Sequence, residues 1–131
     1  MKMLPDHITI NVRDMEKSED FYGRILGLEK LEDVDMGDHQ LHYFRLEGDI
    51  MLELIHYDDD FGELHPHVKT RGLYRHLAFR CDDVDALYKK LLEENITVLT
   101  PPDYVSKLKF RNILAEDPNG VELEFVTRDT Q

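Results

Sequence analysis

The chain switches between two hydrophobic rhythms, one of period two and one of helical period, and runs through the pair twice in the same order. From His7, the apolar residues Ile8, Ile10 and Val12 alternate with Thr9 and Asn11, as in a strand with one apolar face. Beyond Asp14, Met15, Phe21, Tyr22 and Ile25 are spaced to share one face of a helix. Stretches 28–35, 40–46 and 50–56 then return to strand-like patterning. The order restarts at His76. Leu77, Phe79 and Cys81 oppose Ala78 and Arg80, then Val84, Leu87, Leu91 and Leu92 take helical spacing. Stretches 96–99, 108–115 and 121–127 again read as strands.

Smaller signals repeat as well. An Asp stands seven residues after each His, at Asp14 and Asp83, where a carboxylate can cap the first helical turn. Gly48-Asp49 and Pro118-Asn119-Gly120 supply tight turns before the last strand of each half. The pattern therefore predicts an α+β fold of two βαβββ units with curved mixed sheets, at about 5–56 and 74–128. A loop over 57–72, rich in Asp, Gly and His, joins them in one domain spanning 1–131.

Strand phase sorts the chemistry. His7, Thr9 and Asn11 lie on the face away from the helix, as do His76, Ala78 and Arg80. Glu53 shares a face with Met51 and Ile55, and Glu122 shares one with Glu124 and Val126. Each unit thus offers a His at the start of its first strand and a carboxylate in its last. If the two sheets curve toward each other, they enclose a cavity lined by two imidazoles and two carboxylates. Such a set balances a divalent ion and leaves positions for water or substrate. Two nitrogen and two oxygen donors suit Zn, Ni, Co, Mn or Fe. A Glu inside the apolar run 50–55 also needs a partner, since an unpaired buried charge is costly. Phase does not choose between Glu122 and Glu124.

Composition narrows the functional classes. A formal net charge of −12, with no compensating basic stripe, argues against nucleic acid. No apolar run is long enough to span a membrane, and the N-terminal residues lack a signal-peptide core, so a cytoplasmic location is expected. A single cysteine, Cys81, fits a reducing compartment and reads as a packed thiol on the apolar strand face. His39 and His42 are three apart on a strand and face opposite sides, while His56 falls out of phase with Glu53. His65, His67 and the run Asp58-Asp59-Asp60 read as loop polarity. Lys107, Lys109, Arg111 and Asn112 enter a strand, where alternate residues could face the cavity.

Over nearly its whole length the sequence resembles the vicinal-oxygen-chelate superfamily. The resembling pieces are DHITINVRDMEKSEDFYGRILGL, MLELI, YRHLAFRCDDVDAL and EDPNGVELEFV. Phe-Tyr followed by Leu-Gly-Leu, and Asp-Pro-Asn-Gly before a Glu-bearing strand, are specific in combination. The resemblance implies a metal that chelates two neighbouring oxygens of a substrate, held by His7, Glu53, His76 and Glu124. The family's ligand lies four residues after the turn Gly, which selects Glu124 over Glu122.

Four ligands with Glu in second place look most like glyoxalase I (lactoylglutathione lyase). Methylmalonyl-CoA epimerases usually carry Gln there, and fosfomycin thiol transferases use three ligands. The family's glutathione-binding Arg would fall on Asn11, and an accompanying Asn on Tyr57, so the resemblance leaves the thiol unassigned. The implied function is a divalent-metal-dependent lyase or isomerase. It would transfer a proton through an enediolate of a hemithioacetal, with Glu124 as first candidate for the base and Glu53 as second. An epimerase acting on a thioester is the alternative, and a binding or resistance protein a further one. The family also implies a homodimer, and leaves two arrangements open: a site completed within one chain, or one built from His7 and Glu53 of one chain and His76 and Glu124 of the other.

Overall fold

A computed structural model describes residues 1–58 and 74–129. The chain divides into two compact units, Met1–His65 and Pro66–Gln131. Of the loop expected over 57–72, Tyr57 instead ends a strand, and residues 59–72, with His65 and His67 among them, lie outside the described set.

The first unit begins with β1 (His7–Asn11), followed by α1 (Met15–Glu19), which continues without a break into a π-helical turn over Asp20–Ile25. Strands β2 (Lys30–Asp35), β3 (His39–Arg45) and β4 (Met51–Tyr57) complete it. The sheet order is β1-β4-β3-β2, with β1 parallel to β4 and the other neighbours antiparallel. The second unit has β5 (Leu77–Arg80), α2 (Val84–Glu93), β6 (Val98–Val105), β7 (Phe110–Glu116) and β8 (Glu122–Arg128). Its order is β5-β8-β7-β6, again with one parallel pair, β5 with β8. Each is an open, four-stranded mixed sheet, as the alternating patterns predict.

Both helices start where an Asp turns its carboxylate onto free amides. Asp14 accepts from Lys17 N at 3.0 Å, and Asp83 from Ala86 N at 3.1 Å. The helix faces then build the cores. In the first unit Phe21, Tyr22 and Ile25 meet Ile10, Phe44, Leu52 and Leu54, all buried. Tyr22 stands edge-on to Phe21 at 4.9 Å between centroids and 6.4 Å from Phe44. In the second unit Val84 and Leu91 are buried with Ile113, Ala115, Leu123 and Phe125, and Phe79 stacks on Phe125 at 5.7 Å. Each such side chain removed from water contributes roughly 1.5–3 kcal/mol.

Two elements depart from the sequence reading. The first helical stretch is not uniformly α: Leu26 N bonds Phe21 O at 2.9 Å, one residue wider than an α-turn. Gly23 lies against Phe44 within this turn, where an added Cβ would stand 3.3 Å from the ring. The strand expected over 96–99 is instead Val98–Val105, running through Pro101-Pro102. It is an edge strand of its sheet, where a residue without an N–H costs no ladder bond on the open side.

Candidate metal centre

Sheet register fixes what shares a face with each His. In the first unit Thr9 pairs with Glu53, and Glu53 pairs on its other side with Tyr43. Thr9, Tyr43 and Glu53 therefore project to the face that carries His7, away from α1. His7 Nε2 lies 3.9 Å from Glu53 Oε1. Glu53 is buried, at 8% exposure, and both oxygens are engaged. Thr9 Oγ1 donates to Oε1 at 3.0 Å, and the Tyr43 hydroxyl donates to Oε2. The carboxylate beside Tyr43, reinforced by burial, holds its phenol proton until the pKa is pushed up to about 12. Tyr43 is thus a permanent donor at neutral pH. These two hydroxyls answer the question that a Glu in an apolar strand raises.

In the second unit Ala78 pairs with Glu124, which pairs on its other side with Leu114. His76 Nε2 lies 3.3 Å from Glu124 Oε1. Asn112 Nδ2 donates to the other oxygen, Oε2, at 3.0 Å. The Asp117–Gly120 turn aims this strand. Asp117 Oδ1 accepts from Asn119 N at 2.8 Å and from Val121 N at 2.9 Å, and Gly120 closes the turn at φ +89.

Each imidazole has a second carboxylate behind it. His7 Nδ1 lies 2.7 Å from Asp6 Oδ2, and this contact is the main cause of a His7 pKa raised above the ordinary value. His76 Nδ1 is buried without a hydrogen-bond partner, yet Glu122 Oε2 stands 3.4 Å away, poorly aligned for a bond. Glu122 is itself buried and ion-paired with Arg75. The same order recurs in both units: carboxylate, Nδ1, imidazole, Nε2, carboxylate. A carboxylate behind Nδ1 favours the tautomer that leaves Nε2 free to bind a cation.

The donor chemistry fits a divalent ion. Two donors at about 2.0–2.1 Å from one tetrahedral ion stand about 3.3 Å apart, which the His76–Glu124 pair matches at 3.3 Å and the wider His7–Glu53 pair, at 3.9 Å, does not. The structure brings together His7 with Glu53 and His76 with Glu124, each within its own unit. It also separates Glu122 from Glu124, which phase could not do: Glu124 faces Nε2, whereas Glu122 sits behind the ring.

Other candidates resolve plainly. Arg111 turns to the helix face and holds Asp85 through two hydrogen bonds of 2.7 and 2.8 Å, leaving Asn112 as the member of its group beside a carboxylate. Cys81 packs with its Sγ 3.8 Å from Thr127 Oγ1, and burial pushes its thiol pKa up, away from reactivity. His42, opposite in phase to His39, hydrogen-bonds Glu19 and lies 3.4 Å from Asp33. There the Lys30 ammonium, itself paired with Asp33, already supplies a cation.

Comparison with known proteins gives the family. The profile of the Glyoxalase/Bleomycin resistance protein/Dioxygenase superfamily matches residues 4–125. Metallothiol transferase FosB of Lysinibacillus sphaericus is 27% identical over 96% of this chain and 83% of its own. The mitochondrial methylmalonyl-CoA epimerase of Dictyostelium discoideum is 26% identical over 73% of this chain and 60% of its own. The trypanothione-dependent glyoxalase I of Leishmania major superposes with a TM-score of 0.78, over 96% of this chain and 87% of its own, at 21% identity. The last similarity is one of fold. No described helix is long and apolar enough to cross a membrane.

Proposed function

The chain belongs to the Glyoxalase/Bleomycin resistance protein/Dioxygenase superfamily, and from that premise we propose that it is a divalent-metal-dependent isomerising lyase of the glyoxalase I type. Its substrate is a hemithioacetal. His7, Glu53, His76 and Glu124 hold one ion. The observation that carries this reading is the pairing, in each unit, of a His Nε2 with a carboxylate, at 3.9 and 3.3 Å, with a second carboxylate behind the ring. Two carboxylate ligands offset the charge of a divalent ion, and two neutral imidazoles complete the set.

When bound, the ion supplies Lewis-acid stabilisation of the negative charge that develops next to a carbon losing its proton. The chain's own residues do the rest. Glu124 takes the proton from the carbon bearing sulfur and returns it to the neighbouring carbon. The electron pair moves through the two carbons and the hydroxyl proton of the sulfur-bearing carbon passes to the neighbouring oxygen, so the first oxygen ends as the thioester carbonyl and the second as a hydroxyl. Glu124 suits this work because one oxygen takes a single amide hydrogen bond and the other turns to His76 Nε2 with no hydroxyl clamping it. Glu53, gripped by two hydroxyls, stays in place as a ligand.

The similarity to a methylmalonyl-CoA epimerase favours a second reading, in which Glu124 removes a proton next to a thioester carbonyl and the proton returns to the opposite face of the same carbon. The test is direct. Metal-loaded protein is mixed with the hemithioacetal of methylglyoxal and a thiol, and thioester formation is followed. In parallel, a 2-methylmalonyl thioester is incubated in deuterated water and exchange at its α-carbon is read. Thioester formation supports the lyase, exchange alone supports the epimerase, and neither removes both.

A further inference from the structure

We propose that Arg80 is a substrate anchor that binds a carboxylate carried by the substrate away from the reacting carbons. The proposal rests on reading the His76–Glu124 face as the reactive one.

Register puts Arg80 on that face. Ala78 pairs with Glu124 and Arg80 with Val126, so Arg80 follows His76 and Ala78 in the same phase of β5. At about 3.3 Å per residue, its Cα lies about 7 Å along the strand from the residue beside Glu124. An extended arginine side chain covers much of that span, so its guanidinium can reach the far end of a small molecule whose reacting carbon sits at Glu124.

What sets Arg80 apart is its lack of engagement. Arg24 is held by Asp20, Arg45 by Glu29, Arg75 by Glu122 and Arg111 by Asp85. Arg128 donates to Leu108 O and covers the Phe110 ring, and Arg13 is also engaged. Among the described arginines, Arg80 alone has neither a hydrogen bond nor an ion pair, and it is exposed. The chain carries 28 Asp and Glu against 16 Lys and Arg, yet no carboxylate among the described residues is paired with Arg80.

The face around it is electrically divided. Glu116, Glu122 and Glu124 share one end, with Glu116 directly opposite Glu122. Arg80 and Arg128 stand at the other, flanking Val126 in phase, with Asp103 on the far edge strand of the same row. With the reacting carbons beside Glu124 at the acidic end, the basic end meets the substrate's tail. The first unit has no counterpart, because the residue four past His7 is the neutral Asn11. A single guanidinium balances the one charge of a carboxylate and meets it in a planar two-point geometry, whereas a doubly charged phosphate would be only half neutralised.

The experiment compares two hemithioacetals of methylglyoxal, one made with 3-mercaptopropionate and one with the neutral 2-mercaptoethanol. Wild-type metal-loaded protein prefers the anionic adduct in kcat/KM. In R80Q that preference falls roughly 10- to 100-fold, mainly through KM, the range for losing a hydrogen-bonded partner of a charged group. R80K recovers part of it. K89Q removes the same charge from the exposed side of α2 and keeps the preference, which separates local binding from the overall field. An unchanged preference in R80Q, or an equal fall in K89Q, overturns the proposal. If the wild type turns over neither adduct, the isomerase reading fails and binding decides the matter separately. 3-(Methylthio)propionate is then titrated while the Arg80 side-chain nitrogen resonances are followed. A response absent with 2-(methylthio)ethanol upholds the anchor, and no response overturns it.

Discussion

The two units place a histidine and a glutamate on the same sheet positions and then treat the glutamate differently. Glu53 is fixed by Thr9 and Tyr43, one hydroxyl on each oxygen, and is buried by its strand neighbours. Glu124 has one amide donor, Asn112, and an oxygen turned to His76 Nε2, with its side chain 16% exposed. The histidines differ in the opposite sense. His7 is 41% exposed and close to Asp6, whereas His76 is 26% exposed with its Nδ1 sealed against Glu122. One scaffold therefore yields a carboxylate held by two hydroxyls beside an exposed imidazole, and a carboxylate held by one amide beside a half-buried imidazole. On the proposed reading the first is the ligand that stays and the second the one that acts.

The largest expected effect breaks this symmetry at the carboxylates. E124Q should lower turnover by roughly 10²–10⁴-fold, the usual cost of losing a general base, while keeping most of its metal through the amide oxygen. E53Q should instead show its loss chiefly as weaker metal binding, recovered at high metal concentration. Steady-state kinetics at saturating metal separates the two. Metal-recoverable loss in E124Q, with unrecoverable loss in E53Q, would reverse the roles.

Next comes the carboxylate behind His76. E122Q should weaken metal binding by about 10- to 100-fold, as removal of a group that orients a ligating histidine does. At saturating metal its turnover should approach that of the wild type. Calorimetric titration of the apo-protein gives the first number and kinetics the second. A turnover deficit equal to that of E124Q would mean that Glu122, not Glu124, moves the proton.

These expectations show how far the sequence carried. His7, Glu53 and His76 stood out because alternation along a strand is written locally, two residues at a time, whereas Glu124 was preferred to Glu122 only through the family's spacing after the turn Gly. The clamp on Glu53 was not legible. It depends on β3 pairing with β4 so that Tyr43 meets Glu53, and nothing within either strand states that register. Glu122 and Glu124 shared a phase, and only the turn from Asp117 to Gly120 settles which of them passes His76 Nε2. Arg111 and Asn112 were equal candidates until α2 took Arg111 through Asp85. The length of β6 was hidden by Pro101-Pro102, which reads as a break unless the strand is known to lie at an edge.

A smaller effect sharpens the clamp itself. Y43F removes the donor on Glu53 Oε2 and should weaken metal binding roughly tenfold while leaving the fold intact. Affinity equal to the wild type's would show that Thr9 alone is sufficient.

The smallest is a shift in pH dependence. Protonated His7 cannot ligate, and Asp6 raises its pKa, so metal uptake is lost as pH falls through that raised value. D6N should move the midpoint of metal uptake to lower pH. The sign for folding is the reverse. In the apo-protein the Asp6 contact favours the folded chain below the ordinary histidine pKa, and this contribution disappears as pH rises through the raised one. A midpoint that does not move would remove Asp6 from the account.

The central claim, that one divalent ion is shared by the two pairs, is tested most directly by metal stoichiometry in three proteins. Wild type, H7A and H76A are stripped with chelator, reloaded with cobalt or zinc, desalted and analysed, with circular dichroism as the check on folding. The account predicts one ion per chain in the wild type and a sharp loss in both single variants, because each removes a ligand of the same site. Two ions per chain with each variant losing only one, or full metal content in either folded variant, would contradict it.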